Sequence, residues 1–286
     1  MALGIIGLML VINIIGIKES AMMTIIFTII EVGGLVFVIY TAWPTLATGN
    51  YVEMPAQGAQ GILIGGALSF FAYKGFENIV KLSEETKEPE KNIPRAIFIS
   101  SAIVFVLYML VAFAAVSAVP VEKVAGSDNP LSVIVESRFG LTGAMTIAVI
   151  ALFSTSNTLL SSLHGSSRII YSMSLEAKRG RFFSNVSPRR KTPIPALILS
   201  AIIAGFSTLA GDLKTVAIVS NIIVFACFIL VNVSVIYLRY NRKNAERPYR
   251  IPISFGNMPL IPLLAIFLTL MMLILLIKEL INGSLE

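Results

Sequence analysis

Apolar stretches about as long as a bilayer is thick recur along this chain, each divided from the next by a short polar connection. Crossing about 30 Å of hydrocarbon takes roughly 20 helical residues, and in that medium each backbone amide and carbonyl has to find its partner within the segment. The stretches are residues 21–42, 58–79, 94–119, 141–163, 193–210, 215–238 and 259–281, with a shorter one at 2–17. That spacing leaves no room for a soluble domain, and 56% hydrophobic against 13% charged residues excludes a water-solvated fold. The expected architecture is an all-α membrane protein, a single transmembrane domain over 1–286 with about eight helices. Residues 2–17 start apolar at Met1, as though the chain were entered inside a helix. A signal peptide would carry a basic leader, whereas here Lys18 and Glu19 follow the apolar run.

The basic residues orient the helices. Connections rich in Lys and Arg stay on the cytoplasmic side. One set of connections carries Lys18; Lys81, Lys87, Lys91 and Arg95; Arg168, Lys178, Arg179, Arg181, Arg189, Arg190 and Lys191; and Arg239, Arg242, Lys243, Arg247 and Arg250. The alternate set carries only Lys123, Arg138, Lys214 and Lys278, so Met1 is expected outside and the 81–95 connection inside. Trp43, with Tyr40 and Tyr51 nearby, suits an interfacial belt at an outer helix end. The net charge of +6 thus reports topology, and no nucleic-acid partner is indicated because the basic residues are spread over several loops without a recognition motif. Pro89 is expected to end one helix, with Asn92 and Pro94 in the first turn of the next, and residues 130–139 to form a short surface helix. The single Cys227 excludes an internal disulfide.

Within 58–79 the sequence Ala72-Tyr73-Lys74-Gly75 interrupts the apolar run. A lysine and a glycine at that depth are costly unless protein or a water-filled cavity receives them, and discontinuous helices at the bilayer centre are how many secondary transporters present backbone groups to a solute. A simple packing kink is the plainer alternative.

The run Phe70-Phe71-Ala72-Tyr73-Lys74-Gly75-Phe76-Glu77-Asn78-Ile79, with Ser83-Glu84-Glu85-Thr86-Lys87-Glu88-Pro89 and Asn92-Ile93-Pro94-Arg95-Ala96-Ile97, closely resembles the sixth helix and following loop of the amino acid, polyamine and organocation (APC) transporters. Residues 13–20 resemble that family's link between helices four and five, residues 154–158 and 167–173 its helix eight with the extension below, and residues 247–252 the loop before helix eleven. The resemblance implies a LeuT-like inverted-repeat fold with an amino acid held between broken helices one and six. It assigns 1–43 to the end of the first repeat, 58–240 to the complete second repeat and 259–281 to an additional helix. The fold is then incomplete. Helices one to three and twelve are expected outside this sequence, and with them the half of the clamp that receives the substrate carboxylate, so a complementary chain is an expected partner.

On this reading Phe70, Phe71, Ala72, Tyr73 and Gly75 bind substrate, offering carbonyls and an aromatic wall to its amino group and side chain. Lys74 has three readings: a snorkelling side chain, a partner for an acid, or a contact to a substrate carboxylate. Glu77 is a coupling or gating candidate together with Glu31, Lys74, Ser154 and Thr155, or else simply caps or orients the inner half-helix. Glu31 stands where many family members resemble one another in carrying a lysine linked to proton coupling, which makes it a candidate for exchanging a proton between states; a permanently protonated, hydrogen-bonded Glu is the alternative. A Glu31–Lys74 charge pair is a further expectation, one that a double charge reversal should rescue. Ser154 and Thr155, with Ser156 and Thr158, lie where the family's helix eight faces a sodium-like site, although hydroxyls in membrane helices more often bond the preceding turn. His164 suits interfacial packing and makes no metal site. The acids Glu84, Glu85, Glu88 and Glu90 among Lys81, Lys87 and Lys91 read as a solvated face or, by resemblance, an inner gate.

No GxxxxGK[ST], HExxH, GxSxG or cysteine pair occurs, so nothing supports an enzyme, and no cofactor is expected. The expected function is secondary transport of amino acids or related amines by alternating access, proton-coupled or exchanging, across the plasma membrane. A truncated, non-transporting membrane subunit is the alternative.

Overall fold

The computed structural model describes residues 2–47, 49, 51, 58–81, 83, 86–177, 182–188, 190–208, 213–242, 245, 247, 249, 251, 253–256 and 258–283. Helices dominate them: α1 (Ala2–Ile15), α2 (Ile17–Ala42), α3 (Gly58–Tyr73), α4 (Glu77–Lys81), α5 (Pro89–Ala118), α6 (Val121–Ala125), α7 (Pro130–Glu176), α8 (Ile194–Ser207), α9 (Leu213–Asn241) and α10 (Leu260–Gly283). A two-residue antiparallel hairpin, β1 (Ser254–Phe255) with β2 (Met258–Pro259), leads into α10. The all-α expectation therefore holds, and every expected apolar segment is helical over most of its described residues.

Five helices among the described residues are long and apolar enough to cross a bilayer: Ile17–Ala42, Pro89–Ala118, Pro130–Glu176, Val216–Asn241 and Leu260–Ile281. Helices α1 and α8, 14 residues each, and α3, 16 residues, are shorter than the expected spans. At 1.5 Å per residue, 14 residues rise only about 21 Å. The break after Tyr73 shortens α3, whereas α1 stops at Gly16, the single residue dividing it from α2. The resemblance had placed that link over residues 13–20, but α2 already includes Ile17 to Ser20.

Two loop expectations are corrected. Pro89 does not end a helix: α4 stops at Lys81, and Pro89 opens α5, where its missing N–H belongs among the donors that a helix start leaves unused. Pro94 consequently lies inside α5 rather than in its first turn, while Asn92 Nδ2 donates to the Lys87 carbonyl at 2.6 Å. The short helix at 130–139 is present but joined to the next span. Gly140, at φ 61° and ψ −158°, bends α7 at that point, a conformation that favours glycine.

Two compact units emerge. In the first, α2 packs along α7 and α1 sits against α7 and α8. Its interior has two clusters, Ile6, Met9, Phe27, Leu160, Leu163, Leu197 and Ala201 in one, and Val38, Ala42, Ala114, Ile134, Val135 and Ile147 in the other. Lipid is as apolar as these side chains, so close packing and interhelical hydrogen bonds hold such helices together in place of hydrophobic burial. Asn13 illustrates the second: fully buried on α1, it donates through Nδ2 to the Met9 and Leu160 carbonyls, both at 3.1 Å, and accepts from Ser20 Oγ at 2.9 Å. Arg138 closes the end of α2, donating to the Tyr40 and Thr41 carbonyls at 3.2 Å each with its guanidinium 5.3 Å from the Tyr40 ring centre.

The second unit gathers α3, α9 and α10 around Ala67, Ile218, Phe225 and Leu276. The interruption in the apolar run lies here.

Candidate functional site

The helical hydrogen-bond ladder of α3 stops at Tyr73, residues 74–76 form a turn, and α4 begins at Glu77. Gly75 takes φ 126°, a value that side chains with a Cβ rarely adopt, so the glycine is what allows the chain to leave and re-enter helix within three residues. Lys74 N–H bonds to the Phe71 carbonyl at 3.3 Å, the tighter turn that often closes a helix. Gly75 N–H donates to Glu77 Oε2 at 2.8 Å, so the carboxylate opening the short second helix satisfies an amide inside the break.

Helix α9 splints the break. Phe228 packs against Phe70 before it, at 5.9 Å between ring centres, and against Phe76 after it, at 5.6 Å. Phe225 lies 4.8 Å from Phe70. Asn221, fully buried, donates through Nδ2 to the Ala67 carbonyl at 3.2 Å. Its Oδ1 has no hydrogen-bond partner among the described residues. Lys74 Nζ donates to Ser220 Oγ and stands 5.1 Å from the centre of the Phe71 ring. Phe70 is thus turned into the contact with α9, while Phe71 is 38% exposed and Ala72 is exposed too.

In the first unit a second polar group forms between α2 and α7. Ser154 Oγ donates to Glu31 Oε1 at 2.7 Å, and Asn157 Nδ2 reaches Thr28 Oγ1 at 3.0 Å and Glu31 Oε2 at 3.4 Å. Asn157 is buried and its Oδ1 has no partner among the described residues. Thr155 behaves differently, donating back to the Ala151 carbonyl at 2.9 Å. Glu31 and Lys74 each hold hydrogen bonds within their own unit, to Ser154 and to Ser220.

Of the loop acids, Glu84 and Glu85 lie outside the described residues, as does the Lys81 side chain. Glu88 pairs with Lys91 at 3.0 Å, but with both side chains more than two-thirds exposed the pair is solvated and contributes little.

Sequence reading missed Ser220, Asn221, Asn157 and the two α9 phenylalanines. The asparagines carried a signal: an amide inside an apolar span is expensive unless it bonds a neighbouring helix. Nothing in sequence marked Ser220 or Phe228, because their role comes from where α9 packs.

The family model described as amino acid permease matches residues 1–284. The chain is 28% identical over 260 residues to a branched-chain amino acid permease of Bacillus subtilis, covering 91% of this chain and 55% of that protein. It is 32% identical over 235 residues to a vacuolar cationic amino acid transporter of Arabidopsis thaliana, with coverages of 79% and 38%. It is 27% identical over 252 residues to a methylthioribose transporter of Bacillus subtilis, with coverages of 87% and 53%. The chain thus spans about half the length, or less, of these relatives. Its apolar helices and this match make it an integral, multi-pass membrane protein, and the chain belongs to the amino acid permease family.

Proposed function

We propose that this chain carries one half of the substrate site of a secondary amino acid transporter working by alternating access at the plasma membrane. The observation that carries the reading is the interruption at 74–76, held open by Gly75, capped by Glu77 and splinted by α9. A helix ending inside a membrane protein directs the negative end of its dipole at whatever lies beyond it, which suits a substrate ammonium. Ala72, Tyr73 and Gly75 frame that end, and Phe71 supplies the aromatic wall; Phe70 contributes by anchoring α3 to α9. The relatives named for branched-chain and for cationic amino acids support amino acids as the substrate class. The family's inverted-repeat arrangement has residues 1–43 ending one repeat, 58–240 forming the other and 259–281 following, with the basic connections in the cytoplasm.

Glu31 is the proposed coupling group. Its carboxylate accepts from Ser154 and Asn157, so gaining a proton would reorganise the contact between α2 and α7. Replacing it by Gln leaves one acceptor oxygen for two donors. Glu31→Gln is expected to reduce uptake driven by a pH gradient to the level without a gradient, and to do so more than it reduces exchange. Equal loss of both would make Glu31 a packing residue.

A second reading is a membrane subunit that moves substrate only with a complementary chain. Labelled leucine uptake into proteoliposomes separates the two. The chain alone is expected to give little or no flux, and co-reconstitution with the first three helices of the related Bacillus subtilis permease to restore it. Background flux in both, together with no leucine binding, would leave a non-transporting subunit.

A further inference from the structure

We infer that Asn157 is a positioning residue that registers the charge on Glu31: its amide presents Nδ2 to the carboxylate and turns over to present Oδ1 when Glu31 gains a proton. The inference rests on Glu31 as the coupling group, proposed above. Asn157 lies on α7 and is buried where that helix packs along α2. Its Nδ2 donates to Thr28 Oγ1 at 3.0 Å and to Glu31 Oε2 at 3.4 Å, while Ser154 Oγ donates to Glu31 Oε1 at 2.7 Å. Both side chains bonded to Glu31 are therefore donors, which suits an ionised carboxylate, a group that only accepts. Asn157 Oδ1 has no hydrogen-bond partner among the described residues, and a buried acceptor left unpaired is costly. Turning the amide while Glu31 is charged would set Oδ1 against Oε2, acceptor to acceptor. The charge holds the amide as it stands.

A proton taken from water onto Oε2 makes the neutral acid and reverses that demand. The new O–H needs an acceptor, and Nδ2 is a donor only. Half a turn about the last side-chain bond exchanges nitrogen and oxygen, which are nearly the same size, without displacing either helix. Oδ1 then accepts from Glu31 Oε2 and from the Thr28 hydroxyl, a group that can donate as well as accept. The Nδ2 hydrogens move to where Oδ1 stood, so the proton's arrival is passed into the contact between α2 and α7. Neighbouring ionisable groups stand apart from this exchange. Helix α1 carries none, and on α7 the nearest is His164, about two turns beyond Asn157. Helix α5, which shares a cluster with Val38 and Ala42 through Ala114, has Tyr108 nearest, and on α2 itself Lys18 and Glu19 lie more than about three turns from Glu31. Among the described residues Glu31 is bonded by Ser154 and Asn157 and by no ionisable group.

Infrared difference spectra test this on the whole chain in nanodiscs, with asparagine isotope-labelled at its side-chain carbonyl and the pH lowered in steps. The carboxylic band that Glu31→Gln abolishes reports the proton on Glu31, and the amide band that Asn157→Leu abolishes reports Oδ1. Where either variant does not fold, Glu31→Met and Asn157→Ala identify the same two bands. A hydrogen bond weakens a C=O bond, so the Asn157 band is expected to move to lower frequency as its oxygen becomes an acceptor. It should do so with the pH midpoint of the carboxylic band, and should stay fixed in Glu31→Gln. An amide that keeps its orientation would only lose the bond from Nδ2 to a charge, leaving its band in place or moving it to higher frequency. Either result, with the carboxylic band titrating, overturns the switch and leaves Glu31 as the coupling group; a proton on Oε1 accepted by Ser154 would give it. No Glu31 carboxylic band at any pH where the chain stays folded overturns the coupling role and the switch together.

Discussion

Replacing Gly75 by alanine is expected to weaken the amino acid binding proposed at the broken helix by about 5- to 150-fold. No heavy atom lies within 4 Å of where the new Cβ would be, so the change meets no steric obstacle. The cost is torsional, because φ 126° is a value that residues with a Cβ avoid, and holding a residue in such a region costs about 1–3 kcal/mol. The chain can relieve that strain only by moving Gly75 away from the conformation in which its amide meets Glu77 Oε2. Gly65→Ala is the matched control. That residue also has nothing within 4 Å of an added Cβ but lies inside α3, where alanine is the better helix former by about 1 kcal/mol. A leucine titration followed by saturation-transfer NMR reads both variants, and wild-type affinity in Gly75→Ala would remove the reason for treating the break as a site.

Gly34→Leu is expected to destabilise the first unit by about 2–3 kcal/mol, within the range for overpacking a close contact. A Cβ at Gly34 would stand 2.6 Å from Ile150 Cγ2 and 3.3 Å from Ile150 Cδ1, so α2 and α7 would have to separate or Ile150 change rotamer. Gly34 is three residues from Glu31 on the same helix, so separation also draws the carboxylate from Ser154 and Asn157. Neighbouring Gly33 has nothing within 4 Å, and Gly33→Leu should stay within about 0.5 kcal/mol of wild type. Thermal unfolding in mixed micelles compares the pair. Equal melting temperatures would show that α2 and α7 tolerate a wider separation than their packing implies.

Much of the helical layout was legible in sequence because lipid imposes one rule on every residue it touches. Any stretch that crosses must be apolar and must satisfy its own backbone, which is why each apolar segment proved helical over most of its described residues. The boundaries were less legible. Composition could not place the end of α7, since Ser166 to Glu176 are polar enough for a connection, yet they continue as helix past the apolar core at 141–163. Pro89 and Pro94 misled for a related reason: proline can close one helix or open the next, and the sequence permits both. Local chemistry identified the break itself, a lysine beside a glycine in an apolar run, and the nearby Glu77 accepts a hydrogen bond from the glycine's amide.

From the sequence alone came the class of protein, the family and the point at which a helix must stop. Each depends on residues adjacent in the chain, whose cost in hydrocarbon does not depend on what surrounds them. Tertiary structure alone decided which side chains serve that point. Ser220 and Phe228 reach it because α9 packs along α3, Ser154 rather than Thr155 meets Glu31 because of its direction from α7, and Phe70 turns into the packing while Phe71 stays exposed. Helical phase and the register between helices 146 or 123 residues apart determine those meetings, and neither is written in any local stretch of the chain.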